Sequence, residues 1–333
     1  MAENKGVLVY GELSNGKLAA ITTELLGCGR KLVDDLKEEL SCLLASETVG
    51  EAFKEAIAFG ADKVYIVEDA SLKQYQADCH MQVVEKLVKD VSPRAVLMGQ
   101  TAIGRDLAPR LAFRLEVGLA TDCLDLSIDP ETKLLMQTRP VYGGNAQATF
   151  ASELMPQVVT IRAKAMSPIE RDESRKGEVI PTKVEIDMSK VRTTIVEAVK
   201  EEVVGVKLED APVIVSGGRG MGGPEPFQTT LKELADLLHG AVGATRPPAD
   251  NGWVPEALHI GLTGKIVAPD IYIAVAISGA SQHVAGCSGS KNIIAINKDS
   301  EANIFKEAKF GVVGKYEEIL PAFTNKLKEL LAG

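Results

Sequence analysis

Two short apolar runs, 271–277 and 292–296, are continuous rather than alternating, the pattern of strands buried on both faces of a parallel sheet. The first breaks into Ser278-Gly279-Ala280-Ser281, and a short helix opens at Ser281-Gln282-His283. The second ends in Asn297-Lys298-Asp299. Strands that end side by side in polar residues make the crevice where open α/β sheets hold ligands, and a helix start there favours anionic or electron-rich groups. Upstream, strands predicted at 6–12, 42–44, 63–67 and 95–99 alternate with helices at 22–39, 49–59 and 75–89. That β-α repeat also marks a parallel sheet. From 119 to 162 the pattern changes to short strands and turns, which read as extra strands closing the first domain. The segment 170–178 reads as a solvated loop, 184–204 keeps strand-like character, and a hinge is placed at 206–211.

The second half repeats the alternation, with strands at 212–216, 241–244 and 310–313 and helices at 226–238, 301–308 and 316–331. Gly218, Gly220 and Gly223 form G-x-G-x-x-G directly after a strand, a placement that suits a dinucleotide held by backbone N–H groups. A plain glycine-rich turn remains the alternative. The strand 241–244 ends in Thr245-Arg246 rather than the acidic residue that holds an NAD ribose, so NAD is disfavoured and NADP stays open as a rival. A further small-residue loop, His259-Ile260-Gly261-Leu262-Thr263-Gly264, precedes the 271–277 strand. Its Thr263 hydroxyl can donate or accept a hydrogen bond. In the first half, Gln100-Thr101-Ala102-Ile103-Gly104-Arg105-Asp106 follows a buried strand but lacks the ending of a phosphate loop, so a structural role is expected, with Arg105 and Asp106 as a surface or interface pair. The lone Trp253 is assigned to a surface or subunit contact.

The expected fold is therefore α/β in two domains, 1–206 and 207–333, each a mainly parallel sheet flanked by helices and the second Rossmann-like. A net charge of −9 offers no basic footprint for nucleic acid or an anionic membrane. No apolar run is long enough to span a bilayer, and the first residues lack a signal peptide's layout, so a cytoplasmic protein is expected. Cys28, Cys42, Cys79, Cys123 and Cys287 are scattered and read as reduced, buried thiols. No histidine or cysteine spacing suggests a metal site, and no nucleophile or acid–base pair suggests a catalytic residue.

Several separate loops together resemble one family, the alpha subunit of electron-transferring flavoprotein. They include VSGGRGMG at 215–222, VGATRPPADNGWVP at 242–255, HIGLTGKIVAPDIYIAVAISGASQHVAG at 259–286 and IAINKDSEANIF at 294–305. In the first domain they are GQTAIGRDLAPRLA at 99–112, GLATDC at 118–123 and RPVYGGN at 139–145. The resemblance implies a carrier rather than a stand-alone enzyme, with one FAD in the C-terminal domain. It implies a beta subunit holding AMP or a second FAD. It also implies electrons arriving from acyl-CoA-type dehydrogenases and leaving to a quinone reductase, or a bifurcating relative that links NADH, ferredoxin and an acyl-CoA.

By motif position the resemblance assigns Arg219, Thr245, Arg246, Ile260, Gly261, Leu262 and Thr263 to the FAD site, together with Ser278, Gly279, Ala280, Ser281, Gln282, His283 and Asn297. Arg246, Thr263 and His283 are implied to tune the flavin, the first and last by donating to the charge that reduction places on the ring, Thr263 by meeting N5. Leu262 departs from a glutamine frequent in the family, which implies a shifted potential or a less stable semiquinone. Lys315 stands where an acidic residue is frequent, which puts a contact there in question. A subunit that has lost its flavin is the remaining reading.

Overall fold

The computed structural model describes residues 4–144, 146–197 and 206–331. They form two compact units, divided between Ala198 and Val199. In the first, β1 (Val7–Gly11) runs into a small hairpin, β2 (Leu13–Ser14) and β3 (Lys17–Leu18), and then α1 (Ala20–Leu36). Next come β4 (Leu40–Ser46), α2 (Ala52–Ala58), β5 (Lys63–Glu68), α3 (Ala77–Val91), β6 (Ala95–Gly99) and α4 (Ala102–Leu115). The remaining strands are β7 (Leu119–Cys123), β8 (Asp125–Ile128), β9 (Leu135–Val141), β10 (Ala146–Phe150), β11 (Gln157–Ile161) and β12 (Glu178–Pro181).

Seven of these strands make one sheet in the order β12-β5-β4-β1-β6-β11-β7, parallel throughout. The continuous apolar runs of β1, β6 and β11 are buried along their whole length because helices cover both faces. β8, β9 and β10 form a separate antiparallel sheet. Only part of the 119–162 region is therefore an addition: β7 and β11 belong to the main sheet. Glu178 opens strand β12 instead of closing a loop. Residues 184–197 contain no strand; Val184 serves as a core contact at 7% exposure, and 198–204 lie outside the described residues. α1 stops short of residue 39 because Lys37 takes a left-handed φ of 58° and its N–H closes on the Val33 carbonyl. Asp106 pairs with Arg110 and accepts from the Tyr75 hydroxyl, so its partner is not Arg105.

The second unit contains β13 (Val213–Gly217), α5 (Glu225–Gln228), α6 (Thr230–Leu237), β14 (Ala241–Ala244), α7 (Arg246–Asp250) and β15 (Ile271–Val275). It continues with α8 (Ser281–Cys287), β16 (Asn292–Asn297), α9 (Ile304–Glu307), β17 (Phe310–Val313) and α10 (Tyr316–Leu331). The strand order is β14-β13-β15-β16-β17, again all parallel. Alternate residues feed two cores: Ile214, Tyr272, Ala274 and Ala295 face one layer of helices, and Val215, Ile273, Val275 and Ile296 the other. Each large aliphatic side chain so buried contributes roughly 1.5–3 kcal/mol. The predicted helix 226–238 is broken at Thr229, whose ψ of −87° is not helical. Leu208 and Ala211, in the proposed hinge, are packed into this unit's core. Trp253 is half-buried against the second core rather than standing on the surface. Among the described residues no helix is long and apolar enough to cross a membrane.

The 100–106 loop has a structural explanation in Glu12, at the carboxyl end of β1. Thr101 caps α4: its Oγ1 accepts from the Gly104 N–H at 3.1 Å and donates to Glu12 Oε1 at 2.6 Å. Gly104 sits so close to the Gly99 carbonyl that a Cβ would overlap it. Burial pushes the Glu12 carboxyl up to about 7, against the lowering effect of the Thr101 hydroxyl. The folded state thus keeps a proton that the unfolded chain has lost, and Glu12 makes stability fall as pH rises from 4.5 to about 7, with no further loss above. Glu12→Gln keeps an acceptor for Thr101 and removes the titration. Between pH 4.5 and pH 7.5 this variant is expected to gain roughly 2–4 kcal/mol relative to the parent, read as diverging urea midpoints. Parallel pH profiles for the two proteins would contradict the assignment.

Candidate functional site

The carboxyl ends of β13, β14, β15 and β16 open onto a cavity of about 700 Å³, a size usual for small-molecule sites. β13 and β15 are neighbours whose connections leave in opposite directions, which makes this the topological switch point of the sheet. The two strand ends are pressed together there. The Gly218 N–H donates to the Val275 carbonyl at 3.0 Å, and a Cβ on Gly218 would collide with the Ala276 carbonyl. Ala276 is left-handed, with φ of 52°, and its N–H donates to the Ile296 carbonyl at 2.8 Å. A non-glycine residue in that region stores roughly 1–3 kcal/mol of strain. The run predicted as strand to residue 277 therefore ends at Val275, and Ala276 turns the chain over the cavity.

Eleven of the expected residues line this one cavity: Arg219, Thr245, Arg246, Ile260, Leu262, Thr263, Ser278, Ala280, Gln282, His283 and Asn297. Three do not. Gly261 lies under α8, where it leaves no room for a Cβ on Gly286. Gly279, with φ of 84°, is packed on the Ile304 backbone, and its N-terminal neighbour Ser278 accepts the Ile304 N–H. Ser281 begins α8. The wall also includes Gly218, Gly220, Pro247, His259, Ala276, Ile277, Asp299 and Ala302. The two glycines were visible in the G-x-G-x-x-G motif, whose Gly223 lies apart from the cavity. Pro247, Ala276 and Ile277 stand next to an expected residue or a strand end, whereas His259, Asp299 and Ala302 fall inside the 259–286 and 294–305 segments that carry the family resemblance.

The polar wall residues differ in what they have left to offer. Asn297 is already used: its Nδ2 donates to the Ile277 carbonyl at 2.8 Å and its Oδ1 accepts from the Asp299 N–H at 3.0 Å, tying two loops together. Leu262 has an exposed side chain, and its N–H donates to the Gln282 carbonyl at 2.7 Å, which fastens the 259–265 loop to α8. Arg246 starts α7 and bonds Asp250 through Nε at 3.2 Å, while its side chain stays 65% exposed. Arg219 and Thr263 are exposed at the cavity edge.

His283 departs from expectation. Its Nδ1 lies 2.9 Å from the Ile260 carbonyl and its Nε2 3.0 Å from the Tyr272 hydroxyl. A carbonyl only accepts, so Nδ1 carries the proton and Nε2 accepts from the tyrosine. Burial pushes this imidazole down to about 4, with the Ile260 carbonyl pulling the other way and His259 adding to the fall. Both ring nitrogens are committed within the protein at neutral pH. The expected imidazole donor is thus a wall residue that locks α8 to the 259–265 loop. Among the described residues no group of three or more histidine, cysteine or acidic side chains is arranged to hold a metal ion.

Comparison with known proteins agrees with this architecture. The family model described as electron transfer flavoprotein domain matches residues 7–187, and that described as electron transfer flavoprotein FAD-binding domain matches 207–288. The chain is 44% identical over 331 residues to the electron transfer flavoprotein subunit alpha of Thermoanaerobacterium thermosaccharolyticum, covering 99% of this chain and 100% of the relative. It is 45% identical over 332 residues to the protein of the same name from Megasphaera elsdenii, covering 99% and 98%. It is also 36% identical to the acryloyl-CoA reductase electron transfer subunit beta of Anaerotignum propionicum, covering 98% and 96%. The chain belongs to the electron transfer flavoprotein alpha-subunit family, and its C-terminal unit carries the FAD-binding domain of an electron carrier.

Proposed function

We propose that this chain holds one FAD in the switch-point cavity and works as the large subunit of a cytoplasmic heterodimer with a beta subunit that carries AMP. The boundary at 206/207 is taken as the functional one. The single observation that carries the reading is that the cavity lies within the unit matched by the FAD-binding family model, at the position where open α/β sheets take cofactors. The residues suit the group. Gly218 and Gly220, packed on the Ala276 turn, border the cavity with backbone, Arg219 and Arg246 supply positive charge, and Ile260, Ile277 and Ala280 supply apolar wall for a ring.

Bound FAD supplies one- and two-electron redox chemistry. This chain's residues set how favourable the reduced states are. Arg246 places a cation at the cavity and so favours added negative charge. Thr263 offers a hydroxyl, and Leu262 presents an apolar side chain where an amide would add a donor. The buried wall formed by Tyr272, His283 and Ile260 keeps its polar groups satisfied and excludes water from that side.

The donor is proposed to be an acyl-CoA-type dehydrogenase and the acceptor a quinone reductase. A second reading, a bifurcating assembly that links NADH, ferredoxin and an acyl-CoA with a second FAD in the beta subunit, is favoured by the acryloyl-CoA reductase name of one relative. Counting flavins in the co-purified heterodimer separates them. One FAD plus one AMP is expected, two FADs would favour bifurcation, and a colourless heterodimer unable to take up FAD would remove both.

Two substitutions test the tuning. A full charge-assisted hydrogen bond corresponds to roughly 65–130 mV in a one-electron potential. Arg246 is 65% exposed and shared with Asp250, so screening leaves about half of that. Arg246→Gln is expected to lower the first reduction potential by roughly 30–60 mV in spectroelectrochemical titration. Leu262→Gln adds a neutral donor and is expected to raise it by roughly 20–65 mV. A potential that does not move in the Leu262 variant would show that this side chain has no part in tuning.

A further inference from the structure

The cavity contains a second imidazole, His259, whose surroundings contrast with those of His283. Its backbone is fixed on both sides. The N–H donates to the Glu256 carbonyl at 2.9 Å, the carbonyl accepts from the Lys265 N–H at 2.8 Å, and a bridge pairs it with Ala244 at the end of β14. Its ring is gripped by the turn that follows. A Cβ on Gly264 would stand 2.6 Å from Nδ1, and one on Gly261 would stand 3.2 Å from Nε2. The two glycines leave space around both nitrogens that any other residue would fill. The residue is 7% exposed yet lines the cavity, and neither ring nitrogen takes part in a hydrogen bond among the described residues.

We propose that His259 is a cofactor-contacting residue, held by Gly261 and Gly264 so that its imidazole hydrogen-bonds the bound FAD, and that its protonation is coupled to FAD affinity. The proposal rests on the reading of the cavity as the FAD site. His283 cannot take this part, because Tyr272 and the Ile260 carbonyl occupy its nitrogens. The charged and titratable groups around His259 come from three elements: Arg246 and Asp250 of α7, Glu256 in the turn before it, and His283 of α8. In the free cavity, burial and the Arg246 charge hold the imidazole below its usual range, with Asp250 and Glu256 opposing them. FAD brings a diphosphate into the same cavity, and an anion there favours the protonated ring. Binding therefore raises the His259 pKa, and by linkage affinity rises as pH falls through it.

The test uses the full heterodimer, with FAD removed and added back. FAD affinity is expected to be about tenfold tighter at pH 5.5 than at pH 8, equivalent to about one pKa unit. His259→Gln is expected to bind FAD with a flat pH profile, and His283→Gln to keep the slope. NMR titration of ring-labelled histidine in the unsubstituted protein, with the signal assigned by its loss in His259→Gln, is expected to show a higher His259 midpoint with FAD bound. This reading does not depend on the buried His283 variant folding. An unchanged His259 midpoint, or a slope that survives in His259→Gln, would overturn the proposal. A wild-type heterodimer that takes up no FAD at any pH would instead defeat the assignment of the cavity.

Discussion

The contact between Gly218 and the Ala276 carbonyl governs the geometry of the C-terminal unit. It joins the ends of two adjacent parallel strands at the point where the chain leaves them in opposite directions. Without a side chain at 218, the 218–220 backbone can lie directly against the 276–278 turn. The left-handed Ala276 then carries the chain over the opening, and Gly279 brings it down onto Ile304. Strain at one residue is thus held by hydrogen bonds from strands on both sides, the condition under which a sparsely populated backbone state persists. The cavity follows from that arrangement, with cations, hydroxyls and apolar side chains set around an opening already fixed by backbone packing.

Most strands of the two large parallel sheets were legible in the sequence because a strand buried on both faces leaves an uninterrupted apolar run. β1, β6, β15 and β16 are such runs, and no other element type matches their length and flanks. Legibility failed where a local pattern had two outcomes. The residues 226–238 carry helical spacing throughout, and nothing in them announces the turn at Thr229. β12 is a four-residue edge strand with exposed ends, so its composition reads as loop. Residues 184–186 have strand-like side chains but serve the core as single contacts.

The candidate site shows the same division at higher resolution. Which loops meet was readable, because small residues and glycines cluster after the strands and family resemblance names them. What each side chain does on arrival was not. The role of His283 depends on Tyr272, eleven positions earlier in a buried strand, and on a carbonyl in a different loop. Asn297 similarly spends its amide on Ile277 and Asp299. Hydrogen-bond satisfaction is a three-dimensional ledger, and a polar residue in a motif is available to a ligand only if the fold has left its donors and acceptors open.

The two units also show how one kind of sheet, parallel and flanked by helices, yields different chemistry. Each has a parallel sheet with helices starting at the carboxyl ends of its strands, the place that ordinarily attracts anions. In the first unit that place is taken by the protein itself: Thr101 satisfies the Gly104 N–H, and the Glu12 carboxyl, pushed up to about 7 by burial, lies behind it. In the second, the strand ends carry Gly218, Thr245 and Arg246, and the carboxylate on the cavity wall is Asp299, two residues past the end of β16. An anionic ligand entering the first crevice would have to displace a buried hydrogen bond and face an acid that ionises near neutrality. Entering the second, it meets open backbone and cations. The difference rests on a few side chains at strand ends, and it suits the first crevice to scaffolding and the second to an anionic ligand.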